Sequence, residues 1–135
     1  MIFEGNNFVD DRGILSFVNS FDFNGIKRFY QIKNHKINYI RAWHAHKNET
    51  KYFYVTEGSI LLGQVNLETN EIKKNVISNL KPSIIKVPAN HANGFMNLTT
   101  DTSIIVFSNR TLEESKNDDI RYPYDKWNIW DTKFY

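Results

Sequence analysis

Short runs of alternating apolar and polar residues make up most of the chain, and turn residues separate them. The turn signals recur roughly every 8–12 positions, a spacing typical of β-sandwiches and barrels. Before residue 110 no segment keeps the i, i+3, i+4 apolar spacing of an amphipathic helix, and only residues 112–117 have the pattern of a helical turn. The pattern therefore predicts an all-β fold, with a single domain over residues 1–135.

The predicted strands are rich in β-branched and aromatic residues and lie between turn residues. Strands 51–57 and 59–65 are predicted to form a hairpin around Glu57-Gly58, whereas residues 1–11 are interpreted as a polar lead-in. The C-terminal segment is expected to pack on the barrel or on a neighbouring subunit, because it is rich in aromatic residues. These aromatic residues are Tyr122, Tyr124, Trp127, Trp130, Phe134 and Tyr135. The full set of predicted strands covers residues 14–19, 26–33, 39–45, 51–57, 59–65, 72–78, 83–87, 94–98 and 103–108.

An arginine, two histidines and a lysine lie close together in residues 41–58, RAWHAHKNETKYFYVTEG. His44 and His46 are two residues apart, so on a strand both side chains point to one face. Arg41 has the opposite parity and reaches that face only if a bulge re-aims it. Lys51 begins the next predicted strand, so two strands are expected to direct imidazoles and an ammonium toward one interior. Such a cluster predicts a functional site.

Composition and charge narrow the range of functions. The chain has a net charge of +2, no basic run and no nucleic-acid-binding motif, so we expect no nucleic-acid partner. It has no cysteine, which excludes disulfides and thiolate chemistry. No apolar run is long enough to span a membrane and no signal-peptide pattern follows Met1, so a cytoplasmic protein without membrane contact is predicted. A mildly positive pocket for a phosphorylated small molecule fits this charge.

Two kinds of chemistry fit the histidines. The first is a metal site, because His-x-His on a strand supplies two ligands, and Glu49 and His91 are the candidates to complete the set. The second is acid–base chemistry without a metal, in which His44 or His46 takes a proton from a carbon next to a carbonyl.

The acid–base scheme needs two further groups. A nearby cation, Lys51 or Arg41, would stabilise the negative charge that develops on the enolate. A carboxylate would orient the imidazole, and Asp119 and Asp125 in the C-terminal segment are the candidates.

Several sequence pieces, taken in order, resemble a known family. The pieces are DDRGILSF, KRFYQIKN, RAWHAHK with Lys51 ahead of Gly58, VPANHANGF and DDIRYPYDKW. Their order and spacing resemble the small cupin-type sugar-nucleotide enzymes over roughly residues 10–130. These are the dTDP-4-dehydrorhamnose 3,5-epimerases and the WxcM-like 3,4-ketoisomerases of dTDP-4-keto-6-deoxyglucose.

The resemblance implies a cupin barrel (a double-stranded β-helix or jelly-roll) that forms a homodimer. It implies a nucleotide-diphosphate sugar as substrate, an isomerase of deoxysugar and surface polysaccharide biosynthesis, and no metal or other cofactor. Within it, His44 would be the base, Lys51 would stabilise the enolate and Asp125 would orient the histidine. The remaining implied roles are catalytic for His46 and Tyr30 and substrate-binding for Arg12, Gln31, Arg41, His91 and Asn93.

The chain departs from both patterns. The pair of histidines at 44 and 46 is closer to the ketoisomerases, but those enzymes usually have Gln where Lys51 stands. The tyrosine of the epimerases falls at Phe107, which has no proton to give. Lys51 and Asn93 stand where metal-binding cupins place Glu and His, and an ammonium repels a cation. Two alternatives stay open beside the isomerase: a non-catalytic sugar-nucleotide-binding cupin and a metal-dependent cupin.

Overall fold

The strands and the helix occupy short, closely spaced segments of residues 1–131, the part of the chain that the computed structural model describes. The only helix within residues 1–131 is α1 (Leu112–Lys116), in the segment where a helical turn is predicted. The strands are β1 (Ile2–Glu4), β2 (Asn6–Asp10), β3 (Gly13–Phe17), β4 (Arg28–Asn34), β5 (Ile40–His46), β6 (Lys51–Glu57), β7 (Ser59–Asn66), β8 (Ile72–Ser78), β9 (Ser83–Val87), β10 (His91–Asn97), β11 (Thr102–Ser108) and β12 (Ile120–Arg121).

Two five-stranded antiparallel sheets face each other. The first sheet has the order β1-β9-β6-β11-β4 and the second has the order β12-β5-β10-β7-β8. Successive strands from β4 to β11 mostly change sheet, which is the connectivity of a jelly-roll. The inner faces bury an apolar core that includes Phe53, Leu62, Phe95 and Val106. The prediction of an all-β cupin barrel is therefore confirmed.

The predicted hairpin of residues 51–57 and 59–65 is wrong in its pairing. Strand β6 pairs with β9 and β11 in the first sheet, whereas β7 pairs with β8 and β10 in the second. Gly58, with a φ of 76°, carries the chain from one sheet to the other. The prediction that residues 1–11 form a polar lead-in is also wrong, because β1 joins the edge of the first sheet and β2 pairs with β3.

The C-terminal aromatic residues cover the outer face of the second sheet. The ring of Trp43 lies 5.5 Å from that of Trp127 and 5.1 Å from that of Trp130. Gly63 makes room for this packing, because a Cβ at Gly63 would collide with Trp43 and Ile129. The expected packing of the tail on the barrel is thus seen for Tyr122, Trp127 and Trp130, whereas Tyr124 is exposed and Phe134 and Tyr135 lie outside the described residues. Among residues 1–131, no helix has the length and apolarity needed to cross a membrane.

Candidate active site

A bulge in β5 brings Arg41 to the same face as His44. Strand β10 pairs Asn93 with His44 but Phe95 with Arg41, so two steps on β10 match three on β5. The extra residue restores the inward direction of Arg41, which is the condition that the sequence left open. Gly94 permits this irregularity, because a Cβ there would stand 2.5 Å from the Cβ of Ala42.

The inner faces of β4, β5, β6 and β10 enclose a cavity of about 130 Å³, here called the His44 cavity. Its walls consist of Tyr30, Ile32, Arg41, His44, Lys51, Phe53, Asn93 and Phe95. An outer recess of about 320 Å³ shares Tyr30, His44 and Lys51 with this cavity. Helix α1 and the segment around β12 form the opposite wall of the recess, through Leu112, Ser115, Lys116, Asp119 and Arg121.

The structure therefore brings together six of the residues predicted for the site. They are Tyr30, Arg41, His44, His46, Lys51 and Asn93, and each lines the His44 cavity or the outer recess. Four strands and a bulge place them there, so their proximity follows from the two-sheet fold and not from one local motif.

Two of the other predicted residues are placed elsewhere by strand alternation and pairing. Gln31 follows the inward-facing Tyr30, so it lies on the outer face of the first sheet, where its amide donates to Ser103 Oγ at 2.8 Å. His91 pairs with His46, but its ring lines a separate small recess and its Nδ1 donates to the Ala89 carbonyl at 2.9 Å. Gln31 and His91 therefore line neither the His44 cavity nor the outer recess, and their substrate contacts stay a prediction.

Arg12 and Asp125 also lie away from the His44 cavity. The Arg12 side chain is 83% exposed in the turn between β2 and β3, and pairs with Asp10 at 2.6 Å. Asp125 is exposed in the turn before Trp127 and lines neither part of the site. Asp119 is the tail carboxylate that lies at the recess, because β12 pairs with β5 beside His44. The structure thus places Asp119, and not Asp125, at the recess beside His44.

The structure also corrects the interpretation of Phe107 as the position of the catalytic acid. It lies on the outer face of β11, with its ring 5.5 Å from that of Phe21 and 5.3 Å from that of Phe23. The inward-facing neighbours on this strand are Val106 and Ser108. A tyrosine at position 107 would therefore point away from the cavity, so residue 107 does not decide whether an acid is present there.

The electrostatics of the cavity favour a neutral base beside a proton donor. Burial and then Lys51 lower the pKa of His44, which Asp119 only partly opposes. Burial and then Glu49 raise the pKa of Tyr30 to about 12, so its phenol keeps its proton. Burial likewise lowers the pKa of Lys51, although Glu49 acts in the opposite direction.

Sequence reasoning missed two charged residues of the site. Arg28 lines the recess, and its guanidinium carbon lies 5.0 Å from the centre of the Tyr30 ring. Its Nε is buried with no hydrogen-bond partner among the described residues. The second residue is Glu49. The sequence indicates it only as a candidate metal ligand, whereas the structure buries its carboxylate beside Arg28 and His46. Strand alternation could have identified Arg28 as a site residue, because residues 28 and 30 share a face of β4.

The donor set does not fit a metal centre. Within residues 1–131, no group of three or more His, Asp or Glu side chains lies close enough to hold a metal ion. The Lys51 ammonium also lies in the cavity wall together with His44, where it would repel a cation.

The whole barrel matches a family model. The model is that of the FdtA family, described as "WxcM-like, C-terminal", and it matches residues 2–128. The chain belongs to this WxcM-like family. No protein with a curated function matches the WxcM-like chain.

Solved structures share the barrel at low identity. A dTDP-4-dehydrorhamnose 3,5-epimerase from Bacillus anthracis, with TDP and PPi bound, is 20% identical, with a TM-score of 0.80, over 93% of this chain and 79% of that one. A 3,4-ketoisomerase from Helicobacter canadensis is 22% identical, with a TM-score of 0.72, over 93% and 92%. A sugar 3,4-ketoisomerase from Thermoanaerobacterium thermosaccharolyticum in complex with TDP is 19% identical, with a TM-score of 0.71, over 93% and 88%. The WxcM-like chain thus has the fold of both enzyme groups.

Proposed function

We propose that the protein is a metal-independent isomerase of a nucleotide-linked 4-keto-6-deoxy sugar, and that it acts as a 3,4-ketoisomerase. The observation that carries the proposal is the convergence of His44, Tyr30 and Lys51 on one cavity. These supply a neutral base, a protonated phenol and a cation, which are the groups that a keto–enol rearrangement requires. Family membership and the shared barrel support this chemical class.

In the proposed reaction, His44 takes the proton from C3, next to the 4-keto group. The electron pair of that bond forms the C3–C4 double bond, and the 4-oxygen becomes an enolate beside the Lys51 ammonium. The 4-oxygen then gains a proton while the 3-hydroxyl loses one, through Tyr30 and His46. His44 finally returns its proton to C4, which leaves a 3-keto, 4-hydroxy sugar. All carbon-bound proton transfers use the one face that His44 serves.

A basic recess beside the cavity is suited to the nucleotide end of the proposed substrate. A recess of about 290 Å³ is lined by Lys33, Lys36, Tyr39 and Arg41, among others. Arg41 borders both this recess and the His44 cavity. The bulge in β5 turns Arg41 toward both spaces. This supports a binding mode in which the sugar lies in the cavity, the diphosphate lies at Arg41 and the nucleoside lies outside.

Proton NMR of dTDP-4-keto-6-deoxyglucose with the protein in deuterated water tests the reaction. We expect loss of the C3 proton, formation of a 3-keto product that carries hydrogen or deuterium at C4, and no exchange at C5. Exchange at both C3 and C5 would identify an epimerase, because the second centre needs its own proton abstraction. Neither exchange nor a 3-keto product, with the ligand bound, would identify a non-catalytic sugar-nucleotide-binding protein.

We also propose a homodimer, built around the β2–β3 hairpin. This hairpin forms a separate two-stranded sheet, and Phe8, Val9, Ile14 and Leu15 on it are each more than half exposed. An isolated hairpin is marginal in water, so a second copy of the chain is the occupant that would cover these residues. The same contact would carry Arg12 toward the partner's site.

A mixing experiment tests whether Arg12 acts in the partner. Arg12→Ala and His44→Ala proteins are each expected to be impaired, but subunit exchange between them should create one site with both residues intact. Turnover of the mixture should then rise well above the sum of the separate proteins. A mixture without gain, or a monomer by light scattering at micromolar concentration, would count against the dimeric site.

A further inference from the structure

Glu49 has the only fully buried acidic side chain within the described residues 1–131, and its side chain is 0% exposed. It sits in the loop between β5 and β6, behind the wall of the outer recess. A buried carboxylate is costly unless it is well paired, so its partners indicate what it is there to hold.

Four partners from four different elements surround the carboxylate. Ser108 Oγ donates to Glu49 Oε2 at 2.8 Å, and Ser115 Oγ donates to Oε1 at 2.7 Å. Arg28 Nη2 donates to Oε2 at 3.1 Å, and His46 Nε2 lies 3.7 Å from Oε1. Burial alone would raise the pKa of Glu49, but the Ser115 hydroxyl, the Lys51 charge and the Ser108 hydroxyl outweigh it, so the pKa is lowered. The carboxylate is therefore charged.

The His46 ring is held from both sides. Its Nδ1 donates to the Asp118 carbonyl at 2.8 Å, so the neutral ring carries its lone pair on Nε2, toward Glu49. A proton gained by Nε2 would face a carboxylate. Burial and then Lys51 lower the pKa of His46, whereas Glu49 and the Asp118 carbonyl oppose that shift. Glu49 is thus a group that favours the protonated form of His46.

Other charged groups also face this pair. Arg28 approaches from β4, His44 from β5 and Lys51 from β6, while Asp118 and Asp119 precede β12. The phenol of Tyr30, Lys116 of α1 and Arg121 of β12 complete the wall of the recess. The cations outnumber the acids at this wall, so removal of the Glu49 charge would leave Arg28 and Lys51 largely unbalanced.

We propose that Glu49 is a positioning residue for the isomerase reaction, holding Arg28 against Tyr30 and enabling His46 to accept a proton on Nε2. This role rests on the proposed function. Glu49 does not touch the substrate; it acts through His46 and Arg28. The exchange of protons between the 3- and 4-oxygens then depends on a carboxylate that lies behind the cavity wall.

The test is Glu49→Gln, which keeps the side-chain size and an acceptor oxygen but removes the charge. We expect the His46 titration midpoint, followed by NMR of the ring protons, to fall by about one pH unit or more, since one unit corresponds to a tenfold change in proton affinity. We expect kcat to fall about tenfold with KM changed by less than about threefold. The acid limb of the kcat profile should move to lower pH with the His46 midpoint.

The matched control is Asp101→Asn, which removes the carboxylate that lies 3.3 Å from exposed His35. This variant should leave the His46 midpoint and kcat unchanged. Glu49→Asp restores the charge and should recover most of the His46 shift. A folded Glu49→Gln protein whose His46 midpoint and kcat match those of the wild type would overturn the proposal.

A measurement on the wild-type protein keeps the test decisive if Glu49→Gln does not fold. The carbon-13 shift of the Glu49 carboxylate should change at the same pH as the His46 ring protons, because the two groups are coupled. A Glu49 carboxylate shift that does not change over the pH range in which His46 titrates would also overturn the proposal. Neither NMR measurement needs turnover, so failure of the positioning role is separable from failure of the isomerase assignment.

Discussion

His44→Ala is expected to lower kcat by about 10²-fold or more, because general acid–base catalysis by a positioned side chain contributes about 10²–10⁴-fold. His44 lines both the His44 cavity and the outer recess, and burial keeps its imidazole neutral. His46→Ala should cause a loss of the same order, since His46 is proposed to move the oxygen-bound protons. Steady-state kinetics with dTDP-4-keto-6-deoxyglucose measure both effects.

The matched control for these variants is His35→Ala. The His35 side chain is 84% exposed and lines the recess proposed for the nucleotide but not the His44 cavity, so this variant should keep wild-type kcat and change only KM. Thermal unfolding of all three proteins separates lost chemistry from lost fold. Near-normal turnover in both His44→Ala and His46→Ala would mean that the segment 41–58 is a binding surface and that the proposed reaction is wrong.

The pH profile of kcat/KM also tests the assignment of His44 as the base. A base must be neutral, and burial followed by Lys51 lowers the pKa of His44. Activity should therefore persist to pH values below about 6.5, the ordinary imidazole value, and fall only as the pH drops through the lowered pKa. An acid limb centred well above that value would assign the limiting proton transfer to a group other than His44.

Strand alternation accounts for most of what the sequence predicted correctly. The side chains of residues 44 and 46 share a face in any strand, and Lys51 begins a strand in which the next alternate residues, Phe53 and Val55, are apolar and buried. Period-two patterning also marks the strands themselves, because alternate residues meet the core. The cluster of imidazoles and an ammonium was therefore predictable without the three-dimensional structure.

Pairing between distant strands was not predictable in the same way. The hairpin of residues 51–57 and 59–65 is expected because adjacent strands often pair, but β6 pairs with the distant strands β9 and β11, and β7 pairs with β8 and β10 in the other sheet. The inward direction of Arg41 depends on a bulge opposite Gly94, and a single sequence shows the glycine but not the register. Asp119, and not Asp125, lies at the recess because the short strand β12 pairs with β5 at His44.

Buried charge was the least visible feature of the sequence. Glu49 was considered as a metal ligand because it follows His46 by three residues, which is an argument from spacing alone. The structure surrounds it with two hydroxyls and a guanidinium, drawn from segments around positions 28, 108 and 115. No local pattern connects those positions, because the two sheets and α1 bring them together only in the folded barrel.

Lys51→Met is expected to lower kcat by about 10²-fold, because loss of one preorganised group at a developing oxyanion costs about 10²–10³-fold. The Lys51 side chain is buried between Tyr30 and His44 in the wall of the cavity. The charge on the enolate exists only during the reaction, so kcat should fall more than KM rises. Met fills a similar volume without a charge, and the melting temperature of the variant should stay close to that of the wild type.

Lys116→Met is the matched control, because Lys116 lines the outer recess from α1 but is exposed. Its removal should change KM more than kcat, since an exposed cation at the rim attracts the anionic substrate without contacting the enolate. Lys51→Met should also shift the acid limb of kcat/KM to higher pH, because Lys51 is one of the charges that lower the pKa of His44. A Lys51→Met protein with wild-type kcat and an unmoved acid limb would show that the ammonium stabilises no enolate, and the substrate oxygen would then have to be placed beside Tyr30 and Arg28.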